Sequence, residues 1–301
     1  MKHAEGYVLG IDVGVTNVKA VCIDAMPHPG PYQTFERPTH AQRSDWPTGV
    51  AELIKTIETI NGPARGIGLA APGIAHPHGT HIAWMQGRLA EVHDLNWSEF
   101  LKRPVPVLND AQAALLGEVW VGAARGSANV MLLTLGTGVG GALMVDGKLL
   151  KGFSGRAGHV GHISLNPEGE LDIVNSPGSL EDAIGNCTVS SRSHGRFETT
   201  HDLIAAFEAG DTEAAHVWLT SIRSLAAAIA SLINVVDPEV VVIGGGIAQA
   251  SYESLREPLA REMERFEWRP FGRGVRIVAA HCGSFAGAVG AAKNALDKIE
   301  I

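Results

Sequence analysis

The sequence of 301 residues has few cysteines and few charged residues, and each scarcity argues against a class of protein. Its only cysteines, Cys22, Cys187 and Cys282, are odd in number and widely spaced, without the pattern of a disulfide framework, which fits a reducing compartment. Charged residues make up 19%, the formal net charge is -8, and no basic stripe is present, so nucleic acid is not an expected partner.

Long hydrophobic runs are also lacking. The most apolar helical segment, residues 225–236, is shorter than the roughly 20 residues that span a bilayer. The N-terminus lacks the small-residue cleavage site of a secretory signal. We therefore expect a cytoplasmic protein that does not cross a membrane, and its 45% of apolar residues are enough for a substantial core.

The stretch YVLGIDVGVTNVKAVCID, residues 7–24, has two apolar runs separated by a D-x-G-x-T motif. Phosphate binding needs backbone N–H groups that no Cβ obstructs, which Gly14 and the small hydroxyl residue Thr16 would allow. Asp12 could hold Mg²⁺ or its waters against the same phosphates. The alternative is an ordinary β-hairpin with a glycine turn, and this motif alone does not decide between them.

A second stretch, NVMLLTLGTGVGGALMVDG at residues 129–147, repeats this arrangement of strand, Gly/Thr turn and strand. Thr134 and Thr137 supply its hydroxyl groups. Neither loop has the lysine of a P-loop, and GTGVGG leads into a strand, unlike the dinucleotide fingerprint. Two such units, each followed by mixed helices and strands, predict a duplicated α/β fold with a phosphate loop in each half.

Two further motifs lie at the ends of predicted strands. The glycines at 244–246 follow a buried strand and precede a helix, which leaves room for adenosine on bare backbone, although such turns are common in α/β proteins. Asn109 and Asp110 end another strand, where open α/β sheets bind ligands. Asp110 is either a general base for a sugar hydroxyl or the N-cap of the next helix, and spacing does not choose.

Periodicity and turn residues give a coarse order of elements. Residues 25–49, rich in Pro and Gly, are predicted to be a long excursion between a hairpin and the first helix. The predicted elements are a helix from Val50, strands at 66–73 and 104–110, a helix from Ala111, a helix at about 212–236, a strand within 239–248, a helix near 253–264, a strand at 274–280 and a final helix from Phe285.

Seven motifs, taken in order, resemble those of the ROK family of sugar kinases, relatives of hexokinase and actin, over nearly the whole chain. They are D-x-G-x-T at 12–16, APG at 71–73, NDA at 109–111, LGTGVGG at 135–141, GHVGHISL at 158–165, GSLE at 178–181 and VVIGGGIA at 241–248. The resemblance implies an α/β, two-lobe ribonuclease H-like (actin/hexokinase-like) fold with nucleotide bound between the lobes. Residues 1–113 with the C-terminal helix 284–301 would form the N-terminal lobe, and 114–283 the C-terminal lobe.

The resemblance also implies ATP- and Mg²⁺-dependent phosphorylation of a hexose or hexose derivative, at O6, by a homodimer. Asp110 would be the catalytic base, and Asp12 would hold Mg²⁺ directly or through water. The implied sugar-binding residues are Gly73, Asn109, His159, His162 and Glu181. The implied nucleotide-binding residues are Asp12, Gly14, Thr16, Asn17, Thr134, Gly136, Thr137, Gly138, Gly244, Gly245 and Gly246. A non-catalytic sugar sensor of the same fold is the alternative.

Two departures from the family pattern bear on the site. His159 stands where the family motif GEIGH has a sugar-binding glutamate, so we expect an altered sugar preference. The family's zinc element C-x-C-G-x-x-G-C-x-E falls on residues 172–181, and Asp172, Val174 and Ser179 replace its three cysteines. We therefore predict no zinc site, and a loop at 166–181 ordered by its own Pro, Gly and Asn turns.

Overall fold

The computed structural model describes residues 6–26, 29–30, 32–39, 45–86, 89 and 92–299. It divides into two compact units. Unit 1 consists of Met1–Gly126, Lys151–Ala157 and Ser284–Ile301, and unit 2 of Ser127–Leu150 and Gly158–Gly283. The boundary expected at residue 113 would cut through a helix, Asp110–Trp120, which unit 1 contains whole.

The strands of the described residues are β1 (Tyr7–Val13), β2 (Asn17–Asp24), β3 (Gln33–Pro38), β4 (Gly66–Ala71), β5 (Ile74–Ala75), β6 (Ile82–Trp84), β7 (Val107–Asn109), β8 (Val130–Leu135), β9 (Val139–Val145), β10 (Lys148–Leu149), β11 (Val240–Gly244) and β12 (Arg276–Ala279). The helices are α1 (Trp46–Asn61), α2 (Trp97–Leu101), α3 (Asp110–Trp120), α4 (Leu180–Ile184), α5 (Val189–Arg192), α6 (Thr200–Glu208), α7 (Thr212–Val236), α8 (Gly246–Phe266) and α9 (Ala286–Ile299).

The two units repeat one sheet topology. Unit 1 has the strand order β3-β2-β1-β4-β7, and unit 2 has the order β10-β9-β8-β11-β12. In each, an antiparallel hairpin is followed by parallel strands: β1 pairs with β2 and then β4, and β8 pairs with β9 and then β11. The predicted duplication of an α/β unit is confirmed.

The segment predicted as an irregular excursion contains strand β3, so that prediction is wrong in part. β3 pairs with β2 along its length and forms the edge of the unit 1 sheet. Its residues alternate between half-buried and exposed, and only Phe35 among them is both apolar and half-buried. An edge strand with polar residues and a terminal proline carries little apolar signal, which is how such edges avoid aggregation. The helix expected from Val50 begins four residues earlier, at Trp46, with proline in its first turn.

The core of unit 2 is built around helix α7. It is the one helix among the described residues that is long and apolar enough to cross a membrane by length and composition. Its buried side chains, including Trp218, Leu225 and Ile229, nevertheless belong to a cluster shared with β8, β11 and α8. We therefore assign α7 as a core helix whose apolar face packs on the sheet.

The final helix, α9, packs closely against β1, β4 and α3 within unit 1. The contacts are made where glycine leaves the backbone bare. A Cβ placed on Gly10 would lie 1.8 Å from the carbonyl oxygen of Ala288, and one on Gly290 would lie 1.6 Å from that of Ala113. Since real Cβ atoms never come so close, the helix lies nearer to its neighbours than ordinary side-chain packing allows.

This contact predicts that Gly290→Ala destabilises the protein although alanine favours helix by about 1 kcal/mol. Overpacking of a close contact costs about 1–3 kcal/mol, and here the obstacle is backbone that cannot rotate away. Urea denaturation should show a lower midpoint for this variant. Gly30→Ala is the control, because no atom of the described residues lies within 4 Å of the added methyl group. An unchanged midpoint for Gly290→Ala would contradict the close packing.

Candidate functional site

The carboxyl ends of three parallel strands in unit 1 bring the candidate acidic residues to one edge of the sheet. Asp12 of β1 is paired with Ala70 of β4, and Ala71 of β4 is paired with Asn109 of β7. Neighbouring strands lie about 4.8 Å apart, so β1 and β7 are about 10 Å apart at this edge. Asp110 follows β7 directly, which places both carboxylates at the edge where α/β sheets bind ligands.

The Asp12 carboxyl is held in a poorly solvated position beside other charges. Burial raises its pKa to about 7, the negative charge of Asp110 adds to the rise, and Lys19 opposes it. Part of the burial comes from α9, where a Cβ on Gly287 would lie 2.5 Å from a carboxylate oxygen of Asp12. A buried carboxylate beside a second negative charge suits a hard cation, because the cation's charge relieves both burial and repulsion. The donor set therefore fits Mg²⁺.

Asn109 holds Asp110 in place by capping helix α3. Its side-chain oxygen accepts hydrogen bonds from the backbone N–H groups of Ala111 (2.9 Å) and Gln112 (3.2 Å). Its amide nitrogen donates to the Gly73 carbonyl and to Oδ1 of Asp110, both at 2.8 Å. The N-cap of α3 is thus Asn109, not Asp110. These bonds use both amide hydrogens and both oxygen lone pairs of a residue that is 4% exposed.

Gly73 has a structural reason to be glycine. Its φ is +103°, and a Cβ there would lie 2.5 Å from the carbonyl oxygen of Trp84 in β6. Only glycine can therefore occupy this position. The carbonyl oxygen of Gly73 accepts the hydrogen bond from the Asn109 side chain. Gly73 contributes to the edge through its backbone, by fixing Asn109.

The first glycine turn, between β1 and β2, is closed by bonds of its own and by Thr39. The backbone N–H of Gly14 donates to the Asn17 carbonyl (3.0 Å), while the Thr39 hydroxyl donates to the Gly14 carbonyl (2.6 Å) and the Thr39 N–H to the Thr16 carbonyl (2.9 Å). Thr16 is exposed, and the Asn17 amide donates to Glu36 of β3 (2.7 Å). Thr39 is a residue that the sequence reasoning missed, since it lies in a segment with no recognisable motif.

In unit 2 the other two glycine segments meet on neighbouring strands. Thr134 near the end of β8 is paired with Gly244 at the end of β11. Gly245 has a φ of +88°, and a Cβ there would lie 2.3 Å from the carbonyl oxygen of Leu135, so the two turns touch through their backbones. By contrast, a Cβ on Gly136 or Gly246 would meet no atom within 4 Å in the part of the chain that the structure describes. At these two positions the protein's own packing does not require glycine, as expected where a ligand approaches the backbone.

Glu181, a predicted sugar ligand on α4, contacts the second glycine turn. Its Oε2 accepts a hydrogen bond from the backbone N–H of Val139 at 2.9 Å. A Cβ on Gly138 would lie 2.0 Å from the same oxygen, so the bare backbone at Gly138 makes room for this carboxylate. The backbone N–H groups of Asn186 and Cys187 donate to the carbonyl oxygens of Gly136 and Thr137, at 2.9 and 2.8 Å. These two residues also went unrecognised in the sequence.

Of the two candidate histidines, His162 ends a short 3₁₀ turn, Val160–His162, and His159 immediately precedes that turn. His159 is half-buried. The Nδ1 atom of His162 is 2.8 Å from Oδ2 of Asp172, whose side chain has no exposed surface. Burial acts to raise the pKa of Asp172, but hydrogen bonds from the Ser176 N–H, His162, the Val174 N–H and Ser179 outweigh it and hold that pKa below its usual value.

The replaced zinc element does not fit a zinc ion. Structural zinc is bound by four Cys or His ligands. Here the cysteine positions carry Asp172, Val174 and Ser179, and both oxygens of Asp172 already accept hydrogen bonds from protein groups. Backbone bonds close the loop instead: Leu165 N–H donates to the Gly178 carbonyl (2.9 Å), and Gly178 N–H donates to the Glu170 carbonyl (2.8 Å).

The repeated sheet with glycine turns at its strand ends defines the ribonuclease H-like (actin/hexokinase-like) class of α/β proteins, as the sequence predicted. The chain belongs to the ROK family, whose family model matches residues 8–298.

Individual relatives agree with this membership. The chain is 31% identical to a glucokinase of Halalkalibacterium halodurans over 95% of this chain and 94% of that protein. Its structure is similar to that of a ROK hexokinase from Thermus thermophilus (TM-score 0.83, 29% identity, 98% and 99% of the two chains). It is also similar to a ROK family glucokinase from Streptomyces griseus in complex with glucose and AMPPNP (TM-score 0.78, 25% identity, 97% and 100%).

The raised pKa of Asp12 predicts that Asp12→Asn stabilises the metal-free protein at high pH. Folding favours the protonated carboxyl of Asp12. Its contribution to the free energy of unfolding is therefore fully present below pH 3.8, the pKa of the unfolded chain, and is lost as the pH rises through about 7, the pKa of the folded protein. Asparagine keeps the shape without the charge. Thermal unfolding in EDTA should therefore give equal Tm values near pH 4 and a higher Tm for the variant at pH 8.

The control is Asp146→Asn, at an exposed residue in the turn between β9 and β10. This variant should show no such dependence on pH. A Tm difference for Asp12→Asn that is the same at both pH values would show that the charge of Asp12 is not the cause.

Proposed function

We propose that this protein is an ATP-dependent sugar kinase that transfers the γ-phosphoryl group of ATP to a hydroxyl group, O6, of a hexose or hexose derivative. The observation that carries the proposal is the pair Asp12 and Asp110 at one sheet edge in a chain of this family, with Asp110 fixed by Asn109. Glucokinase and hexokinase relatives with near-complete coverage support it.

Asp110 acts as the general base in this proposal. It accepts the proton of the sugar hydroxyl while the hydroxyl oxygen forms a bond to the γ-phosphorus. The bond from the γ-phosphorus to the oxygen that bridges it to the β-phosphate breaks, and ADP leaves with those electrons. Such a base contributes roughly 10²- to 10⁴-fold in rate, and the remainder comes from alignment and charge stabilisation.

Asp12 would hold Mg²⁺, which supplies positive charge to the phosphates when bound. Among the nucleotide candidates, Gly136 and Gly246 have the best support, because open space lies where a Cβ would stand at each of them. Thr16, Thr134 and Thr137 would add hydroxyl groups, and Gly244–Gly246 would form the bare surface for adenosine. Asn17 donates to Glu36, so its assignment to the nucleotide requires that bond to be exchanged.

The sugar would be held by His159, His162, Glu181 and the backbone at Gly73, with Asn109 acting mainly through Asp110. His159 replaces an anionic side chain of the family pattern with a ring that can donate or accept. We therefore expect a different ranking of hexoses, hexosamines and sugar acids from that of a glutamate-containing relative. Cytoplasmic residence remains a prediction from the sequence, and a homodimer remains a prediction from the family resemblance.

The first test of the proposal is Asp110→Asn. The amide keeps the shape of the carboxylate but cannot take a proton, so kcat should fall by at least roughly 100-fold while the Kd values for sugar and AMPPNP stay within a few-fold. ADP release should be measured over a panel of sugars with a no-sugar control, which separates a kinase from a plain nucleotide hydrolase. Near-normal kcat in the variant would reject Asp110 as the base. If the wild-type protein binds sugar but releases no ADP, the alternative of a non-catalytic sugar sensor is supported.

The second test is Gly136→Ala, a sharper probe of phosphate binding than a change at Gly138. The added methyl group meets no protein atom, so the folded protein should keep its Tm, whereas a phosphate on this backbone would be obstructed. We expect AMPPNP affinity to fall at least tenfold by calorimetry, with Gly30→Ala as the control. Unchanged affinity would indicate that the second glycine turn is an ordinary hairpin turn that does not bind phosphate.

A further inference from the structure

Asp172 is a buried carboxylate that lies outside the proposed reaction centre. Its side chain is fully buried, and burying an ionised carboxylate is costly unless hydrogen bonds replace its hydration. Oδ1 accepts from the backbone N–H groups of Val174 (2.9 Å) and Ser176 (2.8 Å). Oδ2 lies 2.8 Å from Nδ1 of His162, and the Ser179 side chain is a further partner. The carboxylate is thus the centre around which the loop at 166–181 is organised.

The bond between Asp172 and His162 fixes which ring nitrogen carries hydrogen. These hydrogen bonds keep the pKa of Asp172 low, so the carboxylate is ionised at neutral pH and can only accept. Nδ1 of His162 must therefore be the donor. In the neutral ring the hydrogen is then on Nδ1, and Nε2 presents a lone pair that can accept a hydrogen bond from a sugar hydroxyl.

A second chain of contacts runs from Asp172 through Ser179 to Glu181. Ser179 is 1% exposed, and its hydroxyl oxygen caps helix α4 by accepting from the Asp182 N–H at 3.2 Å. With Asp172 ionised, the hydroxyl hydrogen of Ser179 points to that carboxylate. Glu181 lies in the first turn of α4 and reaches Val139 of the second glycine turn. The position of Asp172 therefore bears on two of the proposed sugar ligands, His162 and Glu181.

We propose that Asp172 is a positioning residue for sugar binding, which organises the loop at 166–181 without a metal ion, sets the hydrogen-bonding state of His162 and supports the cap that orients Glu181. The sugar-binding part rests on the proposed function. The family's zinc ligands are missing and the lone pairs of Asp172 are used by protein donors, so the loop needs no zinc to be closed.

The decisive variant is Asp172→Asn. The amide oxygen of the new side chain should face the backbone N–H groups of Val174 and Ser176, because an NH₂ group cannot accept hydrogen bonds from them. The NH₂ group is then directed to His162. Nδ1 of His162 must then become the acceptor, and the hydrogen moves to Nε2. Nitrogen-15 NMR of histidine-labelled protein at pH 8 should show His162 with hydrogen on Nδ1 in the wild type and on Nε2 in the variant.

Kinetics test the link to sugar binding. Because Nε2 no longer offers a lone pair, KM for the preferred sugar should rise at least tenfold while kcat changes less than threefold. Glu170→Gln, at an exposed position in the same loop, is the matched control and should leave both measurements unchanged. The NMR measurement does not depend on catalysis. Even if the protein proves not to be a kinase, the spectra would still show whether Asp172 determines which ring nitrogen of His162 carries hydrogen.

Ser179→Ala provides a second variant if Asp172→Asn does not fold. It removes the capping hydroxyl and should also raise KM for sugar, but it should leave the His162 ring with hydrogen on Nδ1. Wild-type His162 with hydrogen on Nε2, or an unchanged sugar KM in both variants, would overturn the proposal. So would stoichiometric zinc in the purified protein together with a Tm that falls on chelation.

Discussion

The part of the candidate site that lies in unit 1 depends on one constraint, the close approach of helix α9 to the unit 1 sheet. Glycines at the contact let helix and strand backbones approach nearer than any side chain would permit. One of them, Gly287, lies over the Asp12 carboxyl and helps to remove it from water. Burial and Asp110 then raise the pKa of Asp12 to about 7. The packing therefore leaves a carboxyl group whose ionised form is unfavourable in the metal-free protein. The proposed Mg²⁺ would stabilise that ionised form, which would be a typical exchange of stability for function.

The glycine turns show that one sequence pattern can have different physical causes. Gly245 is required because it packs on the backbone of Leu135, and Gly138 because the Glu181 carboxylate lies against it. Among the candidate nucleotide-binding glycines, only Gly136 and Gly246 have open space where a side chain would stand. Evidence for a phosphate site thus comes from the two glycines that the fold does not need. The contact of Glu181 with the turn also connects a proposed sugar ligand to a proposed phosphate loop within unit 2.

The sequence was sufficient to predict the duplicated α/β architecture, because strong apolar runs interrupted by glycine turns recur in both halves. It also located Asp110, since a carboxylate at a strand end is visible in the sequence itself. It could not assign the cap of α3, because Asn109 and Asp110 are both good capping residues and only the geometry distinguishes them. Edge strand β3 was missed because its alternation is mostly polar, and Thr39 because its contact with Gly14 joins residues distant in the chain.

The loop at 166–181 was predicted to be ordered by proline, glycine and asparagine turns. Backbone hydrogen bonds in these turns do close the loop, but the main organising group is the Asp172 carboxylate. The sequence pattern presents Asp172 only as a replacement for a cysteine of the zinc element, which considers only what the residue offers a metal. A carboxylate can instead receive donors directly, and here backbone N–H groups and His162 take the positions around it. A metal centre and a buried anion impose opposite charges on the loop. Nδ1 of His162 donates a hydrogen bond when its partner is the Asp172 carboxylate, whereas the same atom would have to offer a lone pair to a cation. Replacement of the cysteines therefore bears on the hydrogen-bonding state of His162, the proposed sugar ligand, as well as on the closure of the loop.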